Sequence, residues 1–348
     1  MRRRGNHIRQ GKDKTVIGKK VAVVGATGAV GQEMLRCLED RNFPVEQIKV
    51  FASSRSAGKT VRFKGREVEI EEARPSAFTD IDIALMAVEA DQSKEFSPVL
   101  AKNGAVVIDN SSAYRMDPDC PLVVPEINPH AISRRPKGII ANPNCSTIIM
   151  NVPVWPLHMA NPVKRIIVST YQAASGAGKP AMDELAESAR LWVEGRPIVP
   201  KALPYQLVMN LFSHNSPIGE NGYNSEEMKM VNETRKIFNA PEMAISATCV
   251  RVPVMRAHCE AVWLEFAQPM SEARAVEILR QAPGVRILDD RKANRSPQPL
   301  DASGQGDILV GRIREDISLP GRGISMFVAG DQLLKGAALN AVQIAELL

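Results

Sequence analysis

The sequence predicts an α/β protein in two parts. A parallel sheet with helices on both faces comes first, and an α+β region with a mostly antiparallel sheet follows. Three observations carry this. Up to residue 143, short apolar runs alternate with helical segments, the pattern of buried parallel strands and their crossovers. Later strands alternate polar and apolar residues, as half-solvated antiparallel strands do. The last segment, 331–348, returns to an apolar helical period.

The first part opens with "KKVAVVGATGAVGQEMLRCLEDR": a β-branched run at 21–24, three glycines, then a helical pattern through Met34, Leu35 and Leu38. "IKVFAS", "IDIALMAV", "GAVVIDNSS" and "GIIAN" are the following strands. In the second part, helices are expected at 145–159, 178–193 and 225–238. Its strands are "VKRIIVSTYQ", "AISATCVRVPVM", "HCEAVWLEFAQ", "DILVGRIRED" and "GISMFVAG", and residues 195–224 read as a long loop region.

Composition bounds the function. The chain has 348 residues, 44% of them apolar and 24% charged, as in an ordinary globular protein of two domains. No apolar run is long enough to span a bilayer, so no membrane partner is expected. Residues 1–20 hold eight Lys/Arg against one acid, more than the whole net charge of +5. The body is therefore slightly acidic and makes a poor nucleic-acid surface. Residues 1–17 read as a disordered basic extension without the apolar stretch of a secretory signal. Five cysteines with no C-x-x-C indicate neither a disulfide framework nor a zinc site, and a cytoplasmic setting is expected.

The glycines are Gly25, Gly28 and Gly31, with Thr27, Ala29 and Val30 between them. Strand, glycine turn and helix in that order make a Rossmann-type dinucleotide site. The glycines let the backbone approach a pyrophosphate, and the helix N-terminus offers it free N–H groups. The second strand ends in Ser53, Ser54, Arg55 and Ser56, with no acid to take a ribose 2′-hydroxyl. Hydroxyls and a guanidinium suit a 2′-phosphate, so NADP(H) is the expected cofactor.

"ANPNCSTIIM" places Cys145 where a helix should begin. There the helix dipole would favour a thiolate, and first-turn N–H groups could serve an oxyanion. A small core cysteine would sit equally well, and position alone leaves the two readings open.

"GATGAVGQEML", "SSRSAGK", "DNSSAYRM", "NPNCST", "YQAASGAG", "EEMKMVNET" and "RVPVMRAHCEAV" occur in that order. Together they resemble the aspartate-β-semialdehyde dehydrogenase family over nearly all of the chain after residue 18. That family is similar in architecture to glyceraldehyde-3-phosphate dehydrogenase. The resemblance implies reductive dephosphorylation of L-aspartyl 4-phosphate to aspartate semialdehyde by NADPH, releasing inorganic phosphate, in lysine, threonine and methionine biosynthesis. It implies Cys145 as the acyl-forming nucleophile, His258 as general acid/base and Gln172 as the residue orienting substrate. It implies Arg251 for the α-carboxylate, Glu226 for the substrate amine, and Arg115, Lys229 and Asn144 for phosphate. Ser175, Gly176 and Gln332 match contacts near the nicotinamide. A homodimer or dimer of dimers is implied, with residues 18–143 and 329–348 binding NADP and 144–328 forming the catalytic and dimerisation domain.

Arg251 and His258 are seven apart, and an odd separation on one strand points side chains to opposite faces. Both must face one pocket, and Pro253 between them is disfavoured inside a sheet, so a break is expected near 253–256. Two rivals differ in testable ways. An N-acetylglutamyl-phosphate reductase would not need Glu226 for a free amine. A non-catalytic NADP-binding or assembly protein would not need Cys145 and His258.

Overall fold

The computed structural model describes residues 18–348, and the expected N-terminal extension lies outside them. The first part runs β1 (Lys19–Val24), α1 (Ala29–Asp40), β2 (Val45–Ala52), β3 (Thr60–Phe63), β4 (Arg66–Glu72), β5 (Ile83–Met86), α2 (Ala90–Lys102), β6 (Val106–Asp109) and β7 (Ile139–Ala141). These strands form one sheet in the order β3-β4-β2-β1-β5-β6-β7. All neighbours pair in parallel except β3–β4. Strands β1, β5 and β6 are almost entirely buried, which explains their unbroken apolar runs. The β3–β4 hairpin was not anticipated. Charged residues mask its alternation, yet its turn, Lys64-Gly65, has both residues at positive φ, the geometry two-residue hairpins favour.

The second part comprises α3 (Cys145–Ala160), β8 (Val163–Gln172), α4 (Lys179–Val193), β9 (Phe212–Ser213), α5 (Ser225–Phe238), β10 (Ala244–Arg251), β11 (His258–Phe266), α6 (Glu272–Gln281), β12 (Val285–Ile287), α7 (Pro299–Ala302), β13 (Ile308–Glu315) and β14 (Gly323–Gly330). Its sheet has the order β12-β13-β14-β11-β8-β10-β9 and is mostly antiparallel, with β10–β8 and β12–β13 the parallel pairs. Helices α3, α5 and α6 pack on one face around a core that includes Ile148, Val168, Met230 and Val262. The other face leaves Ile167 and Tyr171 exposed.

The chain then returns. A π-helical turn at Leu334–Ala338 leads into α8 (Leu339–Glu346), which packs against α1. The expected single C-terminal helix is thus split. Among the described residues no helix is long and apolar enough to cross a membrane.

Candidate active site

The glycine turn shows why these positions carry no side chain. Gly25 has φ +88°, and a Cβ there would meet the Ala87 carbonyl oxygen at 2.2 Å. A Cβ on Gly31 would meet the Gly25 oxygen at the same distance. Gly28 differs: its nearest neighbour is 3.4 Å away, and it is exposed at the start of α1. No side chain caps that helix and no acid lies in its first turn. The cradle therefore fits an anionic dinucleotide. Gly28, Ala29 and Val30 line a cavity of about 670 Å³. Ser53 and Arg55 are exposed in the turn after β2 and, with Ser56, Thr27, Gly25 and Gly31, do not line it.

Across that cavity stands Cys145, the first residue of α3. Asn144 caps the helix: its side-chain oxygen accepts from the N–H groups of Ser146 (3.0 Å) and Thr147 (3.3 Å). Gly336 of the π-turn lies against the cysteine, and a Cβ there would come within 2.9 Å of Cys145 Cβ. The thiol does not behave as the helix dipole alone suggests. Burial pushes it up to about 12, and Glu226 adds to the rise, while Arg115, Arg251 and Lys229 oppose it. Burial, with Glu226, outweighs the three cations together, which favours the thiol over the thiolate at rest.

Glu226 is the hub of the polar wall. One oxygen accepts from Asn144 Nδ2 (2.9 Å) and Gln172 Nε2 (3.1 Å), and the other from Lys229 Nζ (2.8 Å). Burial works to raise this carboxyl. The Lys229 charge and the Lys229 and Asn144 hydrogen bonds outweigh it and hold Glu226 below the usual range. Glu226 and Lys229 thus form the intrahelical pair their spacing allows, and the pair faces the cavity. Arg115 donates to the carbonyls of Asn142 (3.0 Å) and Asn110 (2.9 Å) and to Glu233 (3.1 Å), with one edge on the cavity.

The expected break is present: β10 ends at Arg251, β11 begins at His258, and 252–257 form a loop. The two strands do not pair with each other but flank β8, β10 in parallel and β11 antiparallel. The end of β10, the end of β8 and the start of β11 therefore meet at one edge, bringing Arg251, Gln172 and His258 together. A Cβ on Gly176 would lie 3.0 Å from Arg251 Nη1 and 3.1 Å from His258 Nε2, so both side chains stand directly behind the cavity wall at Gly176. Gln332 donates to the Ser175 hydroxyl, and both line the cavity.

His258 is fully buried, and burial, aided by Arg251, lowers it to about 3, so the ring is neutral. Its Nδ1 faces the Ala173 N–H at 3.0 Å, and an amide can only donate. The proton is accordingly assigned to Nε2, which has no partner among the described residues. His258 thus presents a donor at Nε2 in the resting ring.

Two residues were missed. His214, in the loop before α5, accepts from Arg251 Nη2 through Nε2 at 2.9 Å and lines the cavity. Nothing local marks it, since the juxtaposition comes from β9 pairing with β10. Glu233 is buried and accepts from Arg115 and from the Asn144 N–H (2.6 Å). It stands seven residues after Glu226 on α5, a helical repeat that could have revealed it.

A semialdehyde dehydrogenase NAD-binding domain matches residues 20–135, and a semialdehyde dehydrogenase dimerisation domain matches residues 154–335. An aspartate-semialdehyde dehydrogenase of Synechocystis is 55% identical over 94% of this chain and 97% of its own length. That of Aquifex aeolicus is 48% identical over 95% and 98%. Among solved structures, aspartate semialdehyde dehydrogenase II of Vibrio cholerae complexed with ASA superposes with a TM-score of 0.93 at 44% identity, covering 95% of this chain and 98% of that one. The Candida albicans enzyme with NADP gives 0.75 at 27% identity, covering the same shares.

Proposed function

The chain belongs to the aspartate-semialdehyde dehydrogenase family, and from that premise we propose that it reduces L-aspartyl 4-phosphate to aspartate semialdehyde with NADPH through a Cys145 thioester. The observation that carries this reading is one cavity lined by both the uncapped glycine turn and Cys145. Residues 28–30 with Ser175, Gly176 and Gln332 would hold NADPH, with Ser53, Arg55 and Ser56 at its 2′-phosphate, and it would supply the hydride. The other steps belong to the chain's own residues.

Cys145 attacks the acyl carbon. The S–C bond forms, the C–O bond to phosphate breaks, and hydrogen phosphate carries away the thiol proton. Sulfur suits this chemistry because it attacks readily and its thioester accepts hydride better than an ester would. Arg115 and Lys229, at the cavity wall, draw the phosphate. Glu226 takes the substrate ammonium, which also neutralises the charge that opposes thiol ionisation. Arg251, its guanidinium oriented by Ala173 O (2.7 Å) and His214, takes the α-carboxylate, and Gln172 orients the acyl group. The Nε2–H of His258 donates to the acyl oxygen as negative charge collects there.

The proposed division of labour is residues 18–143 with 329–348 for the nucleotide and 144–328 for catalysis and dimerisation. The packing of α8 on α1 supports it, as does the exposed sheet face around Ile167 and Tyr171 for a homodimer. We propose a cytoplasmic setting for the enzyme, which the five cysteines without a disulfide framework support. The test is NADP reduction with aspartate semialdehyde and phosphate. Wild type turns over only with phosphate, and Cys145→Ala loses turnover. Phosphate-independent turnover, or an undiminished mutant, sinks the reading.

A further inference from the structure

The loop that delivers His258 is held in a way the chemistry above does not use. Ala257, the residue before it, is buried at φ +72°, a left-handed conformation that alanine adopts only under constraint. Its N–H donates to Gln332 Oε1 at 2.8 Å. Its other neighbour, Arg256, grips two carboxylates: Nε donates to Asp331 at 2.7 Å, and Nη1 lies 2.8 Å from Glu33. Asp331 is fully buried and is itself fixed by the N–H groups of Gly304 (2.7 Å) and Leu333 (3.0 Å). Glu33 is buried on α1, two residues after the glycine turn.

A charge-assisted chain therefore runs from the nucleotide helix through Arg256 to the strained turn and on to His258. It is continuous and short, so a displacement of α1 transmits to the ring through a few polar contacts. The 252–257 loop belongs to no strand, and its backbone is tied to 172–175 only as far as Met255. The Val252 N–H donates to Gln172 O at 3.0 Å, and the Ala174 and Ser175 N–H groups donate to Val254 O (2.8 Å) and Met255 O (3.1 Å), which leaves Arg256 and Ala257 to follow α1. We propose that Arg256 is a positioning residue that couples the nucleotide site to His258. The Glu33–Arg256–Asp331 bridge sets the Ala257 turn, and with it the direction of Nε2, according to the position of α1. This rests on the proposed function in assigning a dinucleotide to the glycine turn and a donor role to His258.

The test uses the full-length protein labelled with 15N-histidine, the His258 signal being identified by its loss in His258→Gln. The ligand is 2′,5′-ADP, which fills the adenine end of a nucleotide site and carries no nicotinamide to touch the ring. In wild type the His258 resonance moves on its addition. The movement is lost in Arg256→Ala and Glu33→Gln and kept in Arg36→Ala, which removes only the exposed second partner of Glu33. In parallel, Arg256→Ala lowers kcat by about a hundred-fold, the scale of a misplaced catalytic group, with KM for aldehyde nearly unchanged. The double variant Arg256→Ala/Glu33→Gln is no slower than Arg256→Ala, because both act through one bridge. Arg256→Lys, which keeps the charge but cannot span both carboxylates, falls between, and covers the case in which the alanine variant fails to fold. A His258 signal that ignores 2′,5′-ADP in wild type, or still moves in Arg256→Ala, overturns the coupling. So does a kcat for Arg256→Ala within about two-fold of wild type. If wild type shows the ring movement but no turnover of aspartate semialdehyde, the functional reading fails and the coupling stands.

Discussion

Single residues in this site are tuned more by burial than by the local signals the sequence displays. Cys145 stands at a helix N-terminus, yet desolvation and the Glu226 charge hold it as a thiol. Removing that charge lowers the thiol pKa, so Glu226→Gln should react faster with iodoacetamide at pH 8 than wild type while turning over more slowly. Peptide mass spectrometry should locate the label on Cys145, since the other four cysteines are buried; a slower reaction contradicts the assignment. Glu260 makes the same point away from the chemistry. It is fully buried on β11, neither oxygen has a partner among the described residues, and burial raises it well above the ordinary carboxyl value. The folded state therefore keeps a proton that the unfolded state has released. Stability falls as pH rises from the unfolded value, about 4.5, toward the raised folded one. In Glu260→Gln that term is absent, so its melting temperature relative to wild type should be higher at pH 8 than at pH 5. Equal differences at both pH values would contradict a protonated Glu260.

At the level of elements, the site depends on how two helices begin. The α5 N-terminus is held by a full capping box between Asn224 and Glu227, and Glu226 lies inside that first turn. Asn224→Ala should cost about 1–2 kcal/mol, seen as a lower melting temperature, and should weaken substrate binding by loosening Glu226 and Lys229. The start of α3 is limited by Gly336 as well as by its cap. Gly336→Ala should abolish turnover while leaving nucleotide binding measurable by fluorescence, because its Cβ would press on Cys145 and not on the glycine turn. Much of this was legible beforehand. The glycine turn, α3 starting at Cys145 and the interruption after Arg251 each follow from backbone constraints that particular residues impose: Gly25, the Asn144 cap and Pro253. What was not legible depended on partners distant in the chain. His214 acquires meaning only when β9 pairs with β10, and the His258 tautomer only when the Ala173 amide arrives beside it. The π-turn was hidden for a related reason, since an apolar period reads alike through α-helix and π-turn.

Over the whole molecule, β8 is the organising strand. It lies between β10 and β11, so strands of opposite direction deliver their working residues to one edge. A second long-range tie is made by the C-terminus. Arg41 pairs with Glu346 through two 2.6 Å hydrogen bonds, and Asn340 donates to the Val123 carbonyl at 3.0 Å. Val342, Ile344 and Ala345 fill the same core as Val21, Met34 and Leu38. Deleting residues 339–348 should therefore melt the nucleotide-binding sheet first, measurable as loss of amide-exchange protection in β1 and β5 before β8 and β11. Protection lost first in β8 would place the tie elsewhere. The arrangement also bears on how the protein is made. The sheet that holds β1 lacks part of its core until α8, made some three hundred residues later, emerges. A nascent chain therefore carries an open apolar face while residues 144–338 are made, and becomes competent to hold a nucleotide only once α8 has emerged.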